Sequence, residues 1–271
     1  MLKQRLVTAA ILIPLVVWGI FSLPDTGFAA LLALFVVLGA WEWTRICEIE
    51  NMLVRVVYLA LFSLCLYLLW KNETPGLIRI VLQLSLIWWL MAVWLLLAYS
   101  GGRDYLRGQR MIKALIGFVL LLPPFAALIS LRADPVFGPA YVLLLLLLIW
   151  SADSAAYFSG RQWGRRKLLP KVSPGKSWEG VAGAMLAAIL LALGAAVYFE
   201  LPVLEFVILG IVVTAISIVG DLTESLFKRQ VNIKDSGALL PGHGGVLDRI
   251  DSLTSAAPFF LGGMLLITGK L

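Results

Sequence analysis

The chain has 271 residues, of which 61% are hydrophobic and only 14% are charged, with a mean hydropathy of +0.95. Soluble domains are roughly half apolar and a quarter charged, so this composition excludes an ordinary soluble protein and indicates an integral membrane protein. The net charge of +6 does not indicate a nucleic-acid partner, because the basic residues lie in short loops between long apolar runs.

The apolar runs are long and continuous, which favours transmembrane helices over the alternating strands of a β-barrel. We predict an all-α, polytopic membrane protein with about nine spans, each close to the ~20 residues that cross a bilayer. The predicted spans are 6–23, 27–44, 54–70, 77–99, 111–131, 139–158, 179–199, 203–226 and 253–269. The first span follows a basic start, as in a signal peptide, but no small-residue cleavage site follows it, and we expect it to be retained.

The spans divide into two regions that differ in polar content. Residues 1–138, with spans one to five, contain few polar residues and are expected to form a scaffold or a lipid-facing cavity. Residues 139–271, with spans six to nine, carry two large polar loops, 159–178 and 227–252. We therefore predict that the second region is the catalytic one.

Lys and Arg are distributed unevenly between alternate loops. With a cytoplasmic N-terminus, all of the 22 basic residues face the cytoplasm except Lys71, Arg79, Arg132 and Lys270. By the positive-inside rule, this asymmetry predicts that the N-terminus is cytoplasmic. It also places loops 159–178 and 227–252 on the cytoplasmic side, where together they can form one active site.

Residues 221–251 concentrate ionisable side chains between two apolar spans, where such groups are costly and usually mark function. Near the end of span eight, four side chains at positions i, i+3, i+4 and i+7 share one helical face: Asp221, Glu224, Ser225 and Lys228. Carboxylates can hold a divalent cation, and Lys and Arg can hold phosphate. The segment therefore indicates metal-assisted phosphoryl or nucleotidyl chemistry at a lipid surface. The alternative is a helix end whose charges only pair with one another.

Three glycines surround His243, the only histidine of the chain, and allow the backbone to approach a ligand closely. A structural or phosphate-contacting role for His243 is at least as well supported as catalysis. Asp248 and Asp251 follow at positions i and i+3. We favour metal binding for Asp248, because it shares a small volume with Asp221 if spans eight and nine form an antiparallel pair. For Asp251, a role in complementing the helix dipole stays open as an alternative.

The earlier loop is rich in basic residues, which follow Asp153 at the end of span six: Arg161, Arg165, Arg166, Lys167, Lys171 and Lys176. Lys and Arg between glycines can bind a polyphosphate. The alternative explanation is membrane orientation, although the loop has more basic residues than orientation requires. Ser177 is expected to cap the N-terminus of span seven, which would favour an anion there. The loop lacks the Gly-x-x-x-x-Gly-Lys-Ser/Thr pattern of a P-loop.

Together these residues resemble the signature of the phosphatidate cytidylyltransferases, also called CDP-diacylglycerol synthases. The matching positions are Ser225, Lys228-Arg229, Lys234-Asp235, Pro241, His243-Gly244-Gly245, Asp248-Arg249 and Asp251. A preceding motif of the family is also similar, at Asp153, Tyr157-Phe158, Gly160-Arg161, Gly164, Lys167, Leu168, Pro170, Ser173-Pro174, Lys176 and Glu179-Gly180. The basic start of the chain and Trp41-Glu42-Trp43 are similar to bacterial members.

The resemblance implies that CTP and phosphatidic acid react to give CDP-diacylglycerol and pyrophosphate, by in-line attack at the α-phosphate on the cytoplasmic face of a bacterial inner membrane. It implies Mg²⁺ as the cofactor, K⁺ as an optional second cation, the lipid bilayer as the surroundings and a homodimer, with no nucleic-acid partner. The predicted metal ligands, or close neighbours of the metal, are Asp221, Asp248, Asp251, Glu224 and Asp153. The predicted catalytic residues are Asp221, Asp248, Lys234 and His243. The predicted substrate-binding residues are Arg161, Lys167, Ser173, Lys176, Ser225, Lys228, Arg229, Gly244, Gly245 and Arg249.

Two other functions stay open on the sequence. A different CTP-dependent lipid enzyme, such as a polyprenol kinase or a synthase of another CDP-lipid, would use the same metal and phosphate chemistry. A kinase would release CDP and a lipid phosphate, whereas a cytidylyltransferase releases pyrophosphate and a CDP-lipid. A transporter or lipid scramblase would place charged residues near the membrane midplane, whereas residues 227–252 lie at one interface.

Overall fold

The computed structural model describes residues 2–239 and 244–269, with side chains from residue 10 onwards. Nine helices and two short strands occur in this part of the chain. In chain order they are α1 (Leu2–Ser22), α2 (Asp25–Ile46), α3 (Met52–Lys71), α4 (Pro75–Ser100), α5 (Arg110–Arg132), α6 (Gly138–Trp163), β1 (Lys167–Leu169), β2 (Ser173–Ser177), α7 (Trp178–Tyr198), α8 (Val203–Gln230) and α9 (Leu247–Ile267).

Eight of the described helices, α2 to α9, are long and apolar enough to cross a membrane. In α1 the described apolar part, Ala10–Ser22, is shorter. Large apolar side chains cover the outer faces of the bundle; Leu190 and Leu204, for example, are 62% and 69% exposed. Such a surface suits lipid rather than water. The predicted all-α, polytopic membrane fold is confirmed.

Two helices extend beyond their apolar runs into the charged segment. The structure continues α8 to Gln230, past the predicted limit at residue 226, and begins α9 at Leu247 rather than at residue 253. The i to i−4 hydrogen bonds of a helix do not require apolar side chains, so hydropathy underestimates a helix whose last turns are charged. As a result, Asp248 and Asp251 join the other three candidate acids on regular helices rather than lying on a loop.

Loop 159–178 contains an antiparallel pair of strands, β1 and β2, which the sequence analysis did not predict. Lys167 lies opposite Ser177, and Leu169 lies opposite Ser173. The hairpin ends directly at α7, where the Ser177 hydroxyl accepts a hydrogen bond from the backbone N–H of Gly180 at 3.2 Å. This contact confirms the predicted cap of span seven.

Helices α8 and α9 form an antiparallel pair. Near the start of α9, Asp248 contacts Lys228 at the end of α8, and farther along α9, Ser255 donates a hydrogen bond to the backbone oxygen of Ile216 at 2.8 Å. Gly220 permits this close approach, because a Cβ atom there would collide with Ser255 and with the backbone of α9. The antiparallel arrangement expected for spans eight and nine is therefore present.

The end of α2 packs into the same region of the bundle. Trp43 is fully buried, and its ring meets the edge of Phe227 on α8 with 5.0 Å between ring centroids. Its indole N–H donates a hydrogen bond to the backbone oxygen of Lys113 on α5 at 2.8 Å. Trp43 and Phe227 belong to one apolar core together with Leu247 of α9. Helices from both halves of the chain therefore share the core beneath the charged residues.

Candidate active site

The charged residues of loops 159–178 and 227–252 meet at one end of the bundle, which we call the site end. It is formed by the last turns of α8, the first turns of α9 and the β1–β2 hairpin. Lys176 of the hairpin places its Nζ 2.6 Å from Asp221 Oδ2 on α8, and both side chains are about a quarter exposed (26% and 29%). The Ser225 hydroxyl donates a hydrogen bond to Asp221 Oδ1 at 3.3 Å. The two loops that were predicted to share one site are in direct contact, because Arg229 of the second loop donates a hydrogen bond to the backbone oxygen of Val172 in the first at 3.2 Å.

Lys228 is the centre of a second, more deeply buried group of charges. Its Nζ lies 2.6 Å from Asp248 Oδ1 and 3.0 Å from Glu224 Oε1, and these two carboxylates are only 6% and 2% exposed. The contact with Glu224 is an ion pair, and neither oxygen of Glu224 accepts a well-aligned hydrogen bond from the described residues. A buried carboxylate is costly without a nearby cation, and the Lys228 ammonium group is the cation that compensates Glu224 here.

Asp248 also forms hydrogen bonds with the signature loop, which is the segment 231–246 between α8 and α9. Its carboxylate accepts hydrogen bonds from the backbone N–H groups of Ser236 at 3.0 Å and Gly245 at 2.8 Å. Asp221 and Asp248 each pair with a different lysine in this structure. These contacts show the charges of the helix ends pairing with one another, as the alternative interpretation expected. Such pairing is compatible with an active site in which a bound ligand takes the place of each lysine beside its carboxylate.

Asp153 of α6 and Asp251 of α9 add two more carboxylates near Asp221. Asp153 lies close enough to interact electrostatically with Asp221 and Lys176, and Asp251 lies close enough to interact with Asp221 and Lys228. The structure thus gathers all five predicted acids around two lysines at the site end. Within the described residues, Lys176 and Lys228 form ion pairs with these acids, and such a density of like charges attracts a further cation.

The other basic residues divide into those held by the protein and those that are exposed. Arg229 donates hydrogen bonds to the backbone oxygens of Val172 at 3.2 Å and Ile233 at 3.5 Å, and so ties the hairpin to the signature loop. Among the predicted substrate-binding and catalytic residues, four basic side chains are exposed and form no ion pair within the described part of the chain: Arg161, Lys167, Lys234 and Arg249.

Glu42 of α2 reaches the site end although it lies far from the signature in the sequence. Its carboxylate, 3% exposed, accepts hydrogen bonds from the backbone N–H groups of Val246 at 3.0 Å and Leu247 at 2.8 Å, and from the hydroxyl of Ser236 at 2.9 Å. Glu42 therefore caps the start of α9 from another helix. An acidic residue at the end of an apolar span is itself a signal of function, but in the sequence Glu42 contributed only to the family resemblance and was not predicted to belong to the site.

The family model described as the cytidylyltransferase family matches residues 3–266. The chain belongs to the cytidylyltransferase family. Two relatives named phosphatidate cytidylyltransferase match over nearly their whole length. The protein of Pseudomonas aeruginosa is 45% identical over 278 residues, which cover 96% of this chain and 96% of that protein. The protein of Haemophilus influenzae is 39% identical over 281 residues, which cover 96% of this chain and 97% of that protein.

This membership confirms the resemblance that was drawn from the signature and makes the chain a nucleotidyltransferase. The relatives also show that the likeness extends beyond the motif-bearing second half of the chain. The first five helices are therefore part of the cytidylyltransferase architecture. Their contacts with the signature loop can contribute to function as the motif residues do.

The acids of this cytidylyltransferase fit a divalent cation that a nucleotide helps to hold. Within residues 2–239 and 244–269, no three acidic, His or Cys side chains are arranged to bind a metal by themselves. Mg²⁺ sites in nucleotide enzymes use one or two carboxylates, with water and substrate phosphates as the other ligands. Asp221 and Asp248 already accept cationic groups at 2.6 Å, and the buried oxygens of Glu224 accept no well-aligned hydrogen bond from the described residues. This set of oxygens fits such a shared site.

The glycine-rich part of the signature lies partly outside the described residues. Residues 240–243 belong to that part, so the role of His243 stays a prediction. Gly244 has a φ of +85°, a left-handed conformation that favours glycine. Gly245 has no room for a side chain, because a Cβ atom there would collide with Ser236 and Glu42. Gly245 is therefore required by the packing of the loop, whereas the sequence suggested only close approach to a ligand.

Proposed function

We propose that the chain is a phosphatidate cytidylyltransferase, which transfers CMP from CTP to phosphatidic acid and so gives CDP-diacylglycerol and pyrophosphate. Relatives with this name match 96% of the chain. The observation that carries the proposal is the pairing of Lys176 with Asp221 and of Lys228 with Asp248 at one end of a membrane bundle. Carboxylates and lysines in this arrangement can bind a triphosphate and its counter-cation while the lipid substrate stays in the bilayer.

Phosphate binding is assigned to the basic residues that the protein leaves uncommitted. Both substrates are polyanions, so the site must offset their repulsion before they can meet. Lys167 and Arg249 are exposed without ion pairs at the site end, and Lys176 can exchange Asp221 for a phosphate oxygen, because an ion pair that is about a quarter exposed is weak. Arg229 is assigned to holding the hairpin, since backbone oxygens already engage its guanidinium group.

The proposed cofactor is Mg²⁺, with Asp221 and Asp248 as its ligands. When bound, it offsets the charge of the triphosphate and of the departing pyrophosphate. The two carboxylates would hold it in place of the ammonium groups of Lys176 and Lys228, which then become available to phosphate oxygens. Further candidate ligands are Glu224, Asp251 and Asp153.

The chemical step requires no covalent intermediate with the protein. An oxygen of the phosphatidate phosphate attacks the α-phosphorus of CTP in line, the bond to the β-phosphate oxygen breaks, and pyrophosphate leaves with that electron pair. The residues of the chain position the two phosphates and compensate charge as it shifts towards the leaving group. Lys234, exposed on the signature loop, is proposed to contact the reacting phosphates.

The site end is proposed to face the cytoplasm of a bacterial inner membrane. Most of the Lys and Arg residues lie in the loops at this end, as the positive-inside rule requires of a cytoplasmic face. The named relatives are bacterial. The homodimer implied by the family resemblance stays a prediction.

The proposal is tested with purified protein in detergent and CTP labelled in parallel at the α- or the γ-phosphate. With phosphatidic acid and Mg²⁺, we expect the α-label to enter the lipid fraction and the γ-label to leave as pyrophosphate, and EDTA should stop both. Transfer of the γ-label to a polyprenol would establish a lipid kinase. Label that stays in unchanged CTP with every lipid offered would refute nucleotidyl transfer.

The substitution Asp221→Asn tests whether Asp221 is a ligand of the proposed metal ion. It should abolish detectable transfer while changing the free energy of unfolding by less than about 1 kcal/mol, because its ion pair with Lys176 is partly exposed. Asp25→Asn is the control, since Asp25 pairs with Arg132 at the opposite end of the bundle. Retained activity in Asp221→Asn would remove Asp221 from the metal site.

A further inference from the structure

The carboxylate of Glu42 holds both ends of the signature loop. Its Oε2 accepts a hydrogen bond from the hydroxyl of Ser236, near the start of the loop, at 2.9 Å. Oε1 accepts one from the backbone N–H of Val246 at 3.0 Å, and Oε2 accepts another from Leu247 at 2.8 Å, where the loop enters α9. One buried side chain from the first half of the chain therefore closes a segment that belongs to the second half.

The loop is shaped to admit this carboxylate. A Cβ atom at Gly237 or at Gly245 would collide with the carboxylate oxygens of Glu42, so only glycine lets the backbone pass so close. A cavity of about 210 Å³ is lined by Glu42 together with Trp41, Arg45, Arg55 and residues 236–239. Three hydrogen bonds of Glu42 connect α2 to the loop and to the start of α9 beside this cavity.

The same loop residues that bind Glu42 also serve Asp248. Ser236 donates its hydroxyl to Glu42 and its backbone N–H to Asp248, and Gly245, which abuts Glu42, donates its N–H to Asp248. Glu42 itself is fixed by its neighbour Trp43, which is fully buried between α5 and α8. A continuous chain of contacts thus runs from the core of the first half to a carboxylate of the site.

We propose that Glu42 is a positioning residue of the active site. It holds the signature loop so that Ser236 and Gly245 orient Asp248, and so that Lys234 faces the substrate. The kinetic consequence rests on the proposed cytidylyl transfer, whereas the attachment of the loop is a property of the fold and can be measured without it. Through Glu42, the first five helices have a function at the site beyond scaffolding.

Glu42→Gln is the decisive substitution, because it keeps the size of the side chain and replaces one acceptor oxygen by an NH₂ group that faces N–H or O–H donors. We expect kcat to fall about 10- to 100-fold, as for other neighbours of metal-site ligands, and the Mg²⁺ concentration for half-maximal rate to rise. The KM for phosphatidic acid should change little, since Glu42 is buried. Trypsin should cleave after Lys234 faster in the folded variant than in the wild type.

Glu50→Gln is the matched control, since Glu50 is exposed just beyond the same helix and forms no ion pair within the described part of the chain. It should behave as the wild type in rate and in cleavage. A Glu42→Gln protein that is merely less stable would show fewer active molecules, with unchanged kcat per folded molecule, unchanged Mg²⁺ dependence and unchanged cleavage. That result would overturn the proposal.

If Glu42→Gln does not fold, Ser236→Ala decides the question, because it removes one of the three hydrogen bonds and no charge. A smaller fall in kcat with faster cleavage after Lys234 supports the proposal, and wild-type values for both overturn it. If the wild type itself transfers no cytidylyl group, the proposed function fails. The trypsin comparison between Glu42→Gln and Glu50→Gln still decides whether Glu42 holds the loop.

Discussion

Replacing Lys228 with Met tests whether the buried charges at the site end depend on one cation. The ammonium group lies 2.6 Å from Asp248 Oδ1 and 3.0 Å from Glu224 Oε1, and the side chain of Lys228 is only 10% exposed. At an effective dielectric constant of about 20, each contact corresponds to about 6 kcal/mol of attraction, much of which the desolvation of the three charges offsets. Loss of the cation leaves two buried carboxylates uncompensated, so we expect Lys228→Met to lower the free energy of unfolding by about 3–5 kcal/mol.

The measurement is denaturant unfolding in detergent, followed by the fluorescence of the tryptophans. Lys228→Met combined with Glu224→Gln removes one of the two stranded charges and should recover about 1–2 kcal/mol, because the residues are in contact and their effects are coupled. Mg²⁺ should stabilise the single variant more than the wild type, since no ammonium group then competes for Asp248. A single variant within about 1 kcal/mol of the wild type, or a double variant no more stable than the single one, would refute this account.

Two further substitutions test the helix pair and the hairpin. Gly220→Ala places a methyl group against Ser255 and the backbone of Asp251, so it should lower the free energy of unfolding by about 1–3 kcal/mol and reduce transfer, as measured by unfolding and by α-label incorporation. Lys176→Met frees Asp221 but removes a predicted phosphate contact, so stability should change by less than about 1 kcal/mol while the KM for CTP rises about 10-fold or more.

Each of these substitutions has a control elsewhere in the bundle. Gly194→Ala adds a methyl group on α7 where a Cβ atom would meet nothing within 4 Å, so it should leave stability unchanged or slightly raised. Lys71→Met removes an exposed charge at the end of α3, far from the site end, and should leave the KM for CTP unchanged. Equal losses in Gly220→Ala and Gly194→Ala, or a normal KM in Lys176→Met, would contradict the roles assigned to Gly220 and Lys176.

The sequence alone was sufficient for features that depend on short stretches of chain. Hydropathy identified the membrane helices, because a span needs only enough consecutive apolar residues. Helical spacing placed Asp221, Glu224, Ser225 and Lys228 on one face, and the contacts among them are observed. The cap at Ser177 was predictable for the same reason, since its partner is three residues away.

The tertiary structure decided everything that depends on partners far apart in the chain. Glu42 and Ser236 are separated by 194 positions, and no local pattern signals that they meet. The choice of Lys176 for Asp221 and of Lys228 for Asp248 likewise depends on how the hairpin and α9 pack against α8. The sequence thus determined which groups are available for chemistry, and packing determined which of them pair, because pairing energies at about 3 Å depend on positions that only the assembled bundle sets.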